Sequence, residues 1–283
     1  MKKFFPGLPF KIAAPSMVFG KDLIENVLIL AQIVDSIEIV IFFTTDLNNI
    51  PTREEIRELK RIAERYGITY TIHLPAYLEI ASSDKNKRND SVHLANEICL
   101  KTEELDPIYY ILHIPFSPPT LAPVPGLYFK SGEKRKWDEW TARGLASLER
   151  IESVIRQNGK FLVENINYSP SFLGPFWKEG LCGLCLDLGH LLLGDENVTT
   201  ILRSYSDVTK EIHLHGVKGY EEHISLSVLP KYQVEEWLRY LIEVSFRGVL
   251  NLEVFSPLDL NESLNITYDA LGLESPFKNI TEY

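Results

Sequence analysis

Six of the seven histidines in this chain stand at or just beyond the ends of hydrophobic, strand-like runs, and three carboxylates share their register. His73 lies in Thr71-Ile72-His73-Leu74-Pro75 and His113 in Leu112-His113-Ile114-Pro115. His190 follows Leu186-Asp187-Leu188-Gly189, His213 and His215 alternate in His213-Leu214-His215-Gly216, and His223 closes Glu221-Glu222-His223. Glu164 ends Leu162-Val163-Glu164, Asp187 ends the run before His190, and Glu253 lies in Leu252-Glu253-Val254-Phe255. A single imidazole at a strand end is ordinarily a hydrogen-bonded structural group. Six beside three acids are not explained by packing, because each buried imidazole needs a polar partner and each unpaired carboxylate is costly to desolvate. Something cationic belongs among them. Mixed histidine and carboxylate ligands suit zinc, manganese or iron better than calcium or magnesium. Only His93, in a helix-patterned stretch, reads as an ordinary surface residue.

The elements that must hold these groups are short β-rich runs alternating with longer helical segments, the pattern of βα units around a parallel sheet. The runs are Lys11 to Pro15, Ile37 to Phe43, Thr69 to Leu74, Tyr109 to Ile114, Lys160 to Glu164, Leu184 to Asp187, Glu211 to His215 and Val249 to Val254. Between them lie amphipathic stretches such as Thr52 to Tyr66, where Ile56, Leu59, Ile62 and Ala63 recur at helical spacing. Eight such repeats predict an α/β fold, a (β/α)8 TIM barrel spanning residues 1–283 as one domain, with the chemistry at the C-terminal ends of the strands.

Two post-strand segments are cationic. A long, proline-rich, lid-like loop is expected at about 115–137, followed or ended by Lys130, Lys134, Arg135 and Lys136, and a second cluster, Lys85, Lys87 and Arg88, follows the third run. Lys85, Arg88, Lys134 and Arg135, together with His215, are therefore candidates for binding an anionic substrate, against the alternative that these charges are simply solvated. Glu38, in the second run, either reaches into the barrel mouth or pairs with a cation elsewhere.

Composition narrows the rest. The 283 residues are 45% hydrophobic, enough for one large core, with a formal net charge of -10 and a pI near 5.3. That acidity disfavours wrapping duplex DNA, whose affinity for proteins comes largely from cationic contacts to phosphate. No apolar stretch is long enough for a membrane span and no signal-type segment opens the chain, so a cytoplasmic location is expected. Three cysteines do not make a disulfide framework. Cys182 and Cys185 spell CxxC, but residues three apart on a strand face opposite ways, so they read as core packing rather than as a metal or redox pair.

Taken in order, these motifs resemble the xylose-isomerase-like barrel superfamily and, within it, the apurinic-endonuclease (endonuclease IV) branch, along nearly the whole chain. The resemblance implies a shared metal core of Glu164, Asp187, His213 and Glu253. It implies further metal ligands at His73, His113, His190 and His223, with Glu221 as the remaining carboxylate, for two or three divalent ions, zinc or manganese being expected. Two positions depart from the branch's pattern: Glu221 stands where it has a shorter Asp, and His215 where it has an Asn. The segments Val34 to Phe43, Cys185 to Leu193 and His213 to Val217 also look like the cobamide-remodelling phosphodiesterases of this superfamily.

Three functions compete. Metal-dependent phosphodiester hydrolysis would use Glu164 as a bridge between two ions, on a small anionic, nucleotide-bearing substrate such as a cobamide, or on abasic DNA as in an apurinic endonuclease. A sugar or sugar-phosphate isomerase or epimerase would need only the four-ligand core, with Glu164 and Glu253 as catalytic residues shuttling a proton. It would leave His73, His113 and His223 without a role. A barrel that only binds a partner would leave all of these side chains idle.

Overall fold

The apolar runs become strands buried on both faces, which is what a parallel sheet covered by helices requires. The structure, a computed structural model, describes residues 7–44, 48–116, 133–155, 159–273 and 280. Its strands are β1 (Lys11–Pro15), β2 (Ser36–Val40), β3 (Thr69–His73), β4 (Tyr110–His113), β5 (Phe161–Glu164), β6 (Gly183–Asp187), β7 (Thr209–Leu214), β8 (Gly216–Lys218), β9 (Glu221–Ile224) and β10 (Val249–Leu252). The helices are α1 (Leu23–Leu30), α2 (Arg53–Tyr66), α3 (Lys85–Thr102), α4 (Glu133–Glu152), α5 (Gly174–Lys178), α6 (Leu188–Leu193), α7 (Val198–Tyr205), α8 (Lys231–Glu243) and α9 (Pro257–Ala270). Helix boundaries follow local chemistry. In α2, Thr52 and Glu55 form a reciprocal capping box, and Gly67 ends the helix in the left-handed region that glycine enters without strain.

Eight strands close a parallel barrel in the order β1-β10-β7-β6-β5-β4-β3-β2. All eight predicted runs are barrel strands. The short antiparallel hairpin β8–β9, inserted between β7 and α8, is an addition that the strand pattern did not reveal. The expected 115–137 loop is corrected at its end, since Lys134 to Trp137 already belong to α4; residues 117–132, with Lys130, lie outside the described residues. Among the described residues no helix is long and apolar enough to cross a membrane.

The main hydrophobic core lies between the strands and the helices that surround them, whereas Ile111, Leu162 and Cys185 form a separate small cluster with Tyr109 packed against it. Strand alternation places that cluster inside the barrel, on the same faces as His113, Glu164 and Asp187 two residues further along. Register then levels the polar ends: His113 pairs with Glu164, Asp187 with His213, and His213 with Asn251.

One register shift sets this alignment. Leu184 pairs with Thr209 but Cys185 pairs with Glu211, so Lys210 has no partner on β6 and its side chain is exposed. An extra residue of this kind reverses the parity of every later side chain on its strand, and here it turns Glu211 and His213 inward. Glycines flank it on both sides: a Cβ on Gly183 would crowd the Lys210 side chain, and one on Gly248 would fall on the Lys210 carbonyl. The backbone contact at 248 has no side-chain escape. Gly248→Ala is therefore expected to cost about 1–3 kcal/mol, read as a lowered urea midpoint with an unchanged slope; an unshifted midpoint would contradict the packing described.

Candidate metal centre

The strand ends deliver the predicted residues to one place. Glu164, Asp187, His213 and Glu253 each contribute an atom to one tight group, and His73, His113 and Glu164 form a second that shares Glu164. The sharing is visible atom by atom. Glu164 Oε2 lies 3.2 Å from both His73 Nε2 and His113 Nε2. Its Oε1 lies 3.5 Å from His213 Nδ1. His213 Nδ1 is also 3.2 Å from Glu253 Oε2 and 3.9 Å from Asp187 Oδ2. The carboxylates of Glu164 and Asp187 are almost wholly buried.

Backbone partners fix the orientation of the imidazoles. His73 Nδ1–H donates to the Leu74 carbonyl at 2.7 Å, and His223 Nδ1–H to the Glu253 carbonyl at 3.1 Å. In each neutral ring the other nitrogen is then a bare lone pair, and at His73 it faces a carboxylate oxygen. Two acceptors face to face need a proton or a metal cation between them. The same holds for the core: among the described residues His213 Nδ1, Asp187 Oδ2 and Glu253 Oε2 are buried with no hydrogen-bond partner. These orphaned donor atoms, nitrogen and oxygen in mixture, fit divalent metal ions held by the two sets.

Electrostatics point the same way. Burial pushes Glu164 up, yet the charges and hydrogen bonds of His213 and His113 outweigh it and hold it well below the usual carboxylate range. Asp187 is likewise pushed up by burial but held low by His190 and His215. Glu253 is lowered against burial chiefly by His213. Glu211 goes the other way, raised well above the usual range by burial and by the charge of Glu38. Glu38, whose direction the sequence left open, points inward and is fully buried, with Oε2 3.1 Å from His213 Nε2.

The remaining candidates divide. His190 is half-buried beside the core, its Nε2 3.9 Å from both Glu164 and Asp187, and its Nδ1 faces Glu222 at 3.6 Å. The expected Glu221 is exposed instead. The hairpin register shifts by an extra residue in β9 between Glu221 and Ile224, where His223 has a left-handed backbone, φ 56°, and this bulge breaks the alternation that would have put Glu221 and His223 on one face. His215, expected at the substrate, is fully buried and serves a different purpose. Its Nδ1 accepts the backbone N–H of His223 at 3.0 Å, while its Nε2 lies 3.5 Å from Asp187. It pins the β8–β9 hairpin to the core. Gly189 makes room for it, because a Cβ there would fall inside the His215 ring.

The predicted cations take local partners. Lys134 pairs with Asp138 and Arg135 with Glu139, each at 2.8 Å along α4. Arg88 donates to the Ser82 carbonyl, Lys87 pairs with Glu79, and Lys85 is exposed in the first turn of α3. Around the mouth, apolar side chains are prominent. Tyr77, Phe43, Met17 and Phe255 are exposed just beyond β3, β2, β1 and β10, four consecutive neighbours in the barrel. Tyr220 follows, fully exposed at the tip of the β8–β9 hairpin beyond β7. Tyr77 is hydrogen-bonded to the Phe43 backbone, and the Phe255 ring lies 5.1 Å from that of His223. Cys182 and Cys185 are both buried, Cys185 in the interior cluster, in keeping with their reading as packing.

A model of the family described as "Xylose isomerase-like TIM barrel" matches residues 30–270. The chain is similar in structure to a D-tagatose 3-epimerase-like protein, with TM-score 0.72 at 20% identity, covering 93% of this chain and 97% of that one. It is also similar to a xylose isomerase domain protein from Planctomyces limnophilus, with TM-score 0.67 at 17% identity over 93% and 96% of the two chains. SacUVDE aligns with TM-score 0.64 at 11% identity over 94% and 100%. No curated protein matches the chain significantly.

Without metal, burial lowers His73, but its hydrogen bond to Glu164 and the charges of Glu38, Glu164 and Glu253 overcome this and raise it from 6.5 to about 9. The stabilisation linked to that proton is present in full below pH 6.5 and is lost as pH rises through about 9. A divalent ion competes with the same proton. Metal uptake at pH 7 should therefore release protons, with apparent affinity climbing towards about pH 9 and then levelling. Calorimetry in buffers of different ionisation enthalpy reads both effects, and a pH-independent affinity without proton release would contradict this account.

Proposed function

The chain belongs to the xylose isomerase-like TIM-barrel family, and we propose that it is a metal-dependent phosphodiesterase acting on a small nucleotide-bearing substrate, with the nucleotide loop of a cobamide as the specific candidate. The observation that carries this reading is the division of Glu164, with Oε2 turned to His73 and His113 and Oε1 to His213. One four-ligand set is all that a proton-shuttling isomerase uses. A second set sharing a bridging carboxylate is what a two-ion phosphate clamp uses.

Zinc or manganese ions held by the two sets would supply Lewis-acid activation of a phosphate and of its attacking water. The protein groups do the rest. Glu164 and Glu253 would offer the ions negatively charged oxygens, and the His73 and His223 backbone hydrogen bonds hold their rings ready before substrate arrives. Hydrolysis adds water across one P–O ester bond, leaving a phosphate monoester and an alcohol. His190, largely buried beside Glu222, would contact the phosphate or hold a third ion.

The apolar arc of Tyr77, Phe43, Met17 and Phe255 supports a substrate with an extended planar apolar part, as a cobamide has, over a small polyol. Exposed large apolar side chains in succession around a site are otherwise a liability for a protein surface. The net charge of -10 disfavours duplex DNA and with it an apurinic-endonuclease role. A sugar epimerase remains the second reading, favoured by the intact Glu164, Asp187, His213 and Glu253 set and by likeness in fold to the tagatose 3-epimerase-like protein.

Metal analysis of the purified protein beside a His113→Ala variant tests the leading reading. Two or more equivalents are expected, with about one lost in the variant. Hydrolysis of bis(4-nitrophenyl) phosphate and of a cobamide should fall about 100-fold or more with it. A single equivalent unchanged by the substitution, with turnover of keto-sugars instead, would reverse the choice. For the arc, Phe255→Ala should raise KM for a cobamide roughly 3- to 10-fold while leaving methyl 4-nitrophenyl phosphate unaffected; equal effects on both substrates would remove the arc from specificity.

A further inference from the structure

We propose that Glu38 is a positioning residue for the metal centre, a carboxylate that fixes the tautomer and ring orientation of His213 from the interior side of the barrel. This rests on the metal-centre reading above but concerns a residue outside both ligand sets. His213 is fully buried and its two nitrogens see different worlds. Nδ1 faces the Glu164, Asp187 and Glu253 oxygens and has no hydrogen-bond partner among the described residues. Nε2 lies 3.1 Å from Glu38, within hydrogen-bonding distance, and 3.9 Å from Glu211, beyond it. A ring nitrogen hydrogen-bonded to a carboxylate oxygen carries the hydrogen. With Nε2–H donated to Glu38, Nδ1 is left as a lone pair aimed into the ligand set, which is the state a metal requires.

Simple space-filling does not account for Glu38. An inward carboxylate without charge partners would be far costlier than an apolar side chain of the same volume. Both of its oxygens are instead engaged, Oε2 by His213 and Oε1 by the Asn251 side-chain amide at 2.9 Å. The reach is unusual as well. Glu38 belongs to β2 and His213 to β7, so in barrel order β1 and β10 stand between them. On β1, Pro15 is in register with Glu38, and Ala13, two residues earlier, is in register with Asn251. Asn251 in turn is in register with His213. β10 and β7 thus supply a clamp and a ligand in register, and β2 supplies the anchor that both contact.

The test compares the wild type, Glu38→Ala and Glu38→Gln by zinc stoichiometry and chelator competition, with 15N-histidine NMR of the zinc-loaded proteins. Zinc-loaded wild type should show His213 protonated at Nε2. Glu38→Ala should weaken one zinc equivalent about 10- to 100-fold while the other, on His73 and His113, keeps its affinity. Glu38→Gln retains an oxygen acceptor, provided that Asn251 rotates to present its unpaired Oδ1 to the new amide, and should stay within a few-fold of wild type. Should the alanine variant fail to fold, the wild-type NMR spectrum and the glutamine variant still decide. A His213 proton on Nδ1 in the loaded wild type, or full zinc affinity in Glu38→Ala, would overturn the role of Glu38 alone. A wild type that takes up no divalent ion at all would overturn this role together with the metal centre it serves.

Discussion

Five carboxylates, those of Glu38, Glu164, Asp187, Glu211 and Glu253, are buried within the mouth and interior of one barrel, and the rest of the molecule is arranged around that concentration of charge. Barrels of this kind ordinarily fill their interior with layers of branched apolar side chains. Here the interior keeps a small apolar cluster, Ile111, Leu162 and Cys185, and surrenders the rest to acids and imidazoles. Each acid must be neutralised by a hydrogen bond, a proton or a cation, since an isolated buried charge is prohibitive. Histidines answer part of the demand, Glu211 is driven towards its neutral form, and the orphaned atoms around His213 mark where positive charge is still needed. The ring of helices bears the burden of stability, which is why the main core lies outside the sheet.

The frame was legible in the sequence because two-sided burial writes strands as nearly unbroken apolar runs, and a histidine or acid ending such a run stands out. All eight strands and the convergence of His73, His113, Glu164, Asp187, His213 and Glu253 follow from that pattern. The direction of Glu38 was not legible, because every residue of β2 is buried and alternation carries no contrast there. The β8–β9 hairpin was hidden because its two strands are short and polar; its one local signal is Gly219, which turns the chain with φ 66°. Glu222, rather than Glu221, faces His190 in a hairpin whose register shift upsets side-chain parity, and nothing in residue type announces that bulge. The cationic segments misled because charges that look available along the chain are paired one turn away on the same helix.

The site is also divided by preorganisation. His73 and His213 are fixed by hydrogen bonds in the buried interior, whereas His190 and His223 sit on a short helix and a hairpin nearer solvent, His223 tied by its Nδ1–H to the Glu253 carbonyl. A rigid inner pair of ligand sets beside a more open outer group is a sensible division between holding ions and admitting substrate. At one end of the four-strand apolar arc, Phe255 lies against His223 of that outer group.

The fit of His215 over Gly189 carries an implication for how such a site can change. The ring fills the volume that a side chain at 189 would occupy, so the two positions are not independent variables. A larger residue at 189 is compatible only with a smaller one at 215, and a smaller residue at 215 alone leaves a hole beside Asp187 and an unheld hairpin. Mutational paths between a histidine and an asparagine at 215 are therefore ordered: the glycine must be in place before the histidine arrives, and cannot be lost until the histidine has gone. Epistasis of this steric kind makes the identity of residue 189 an indicator of which hairpin anchor a given relative uses.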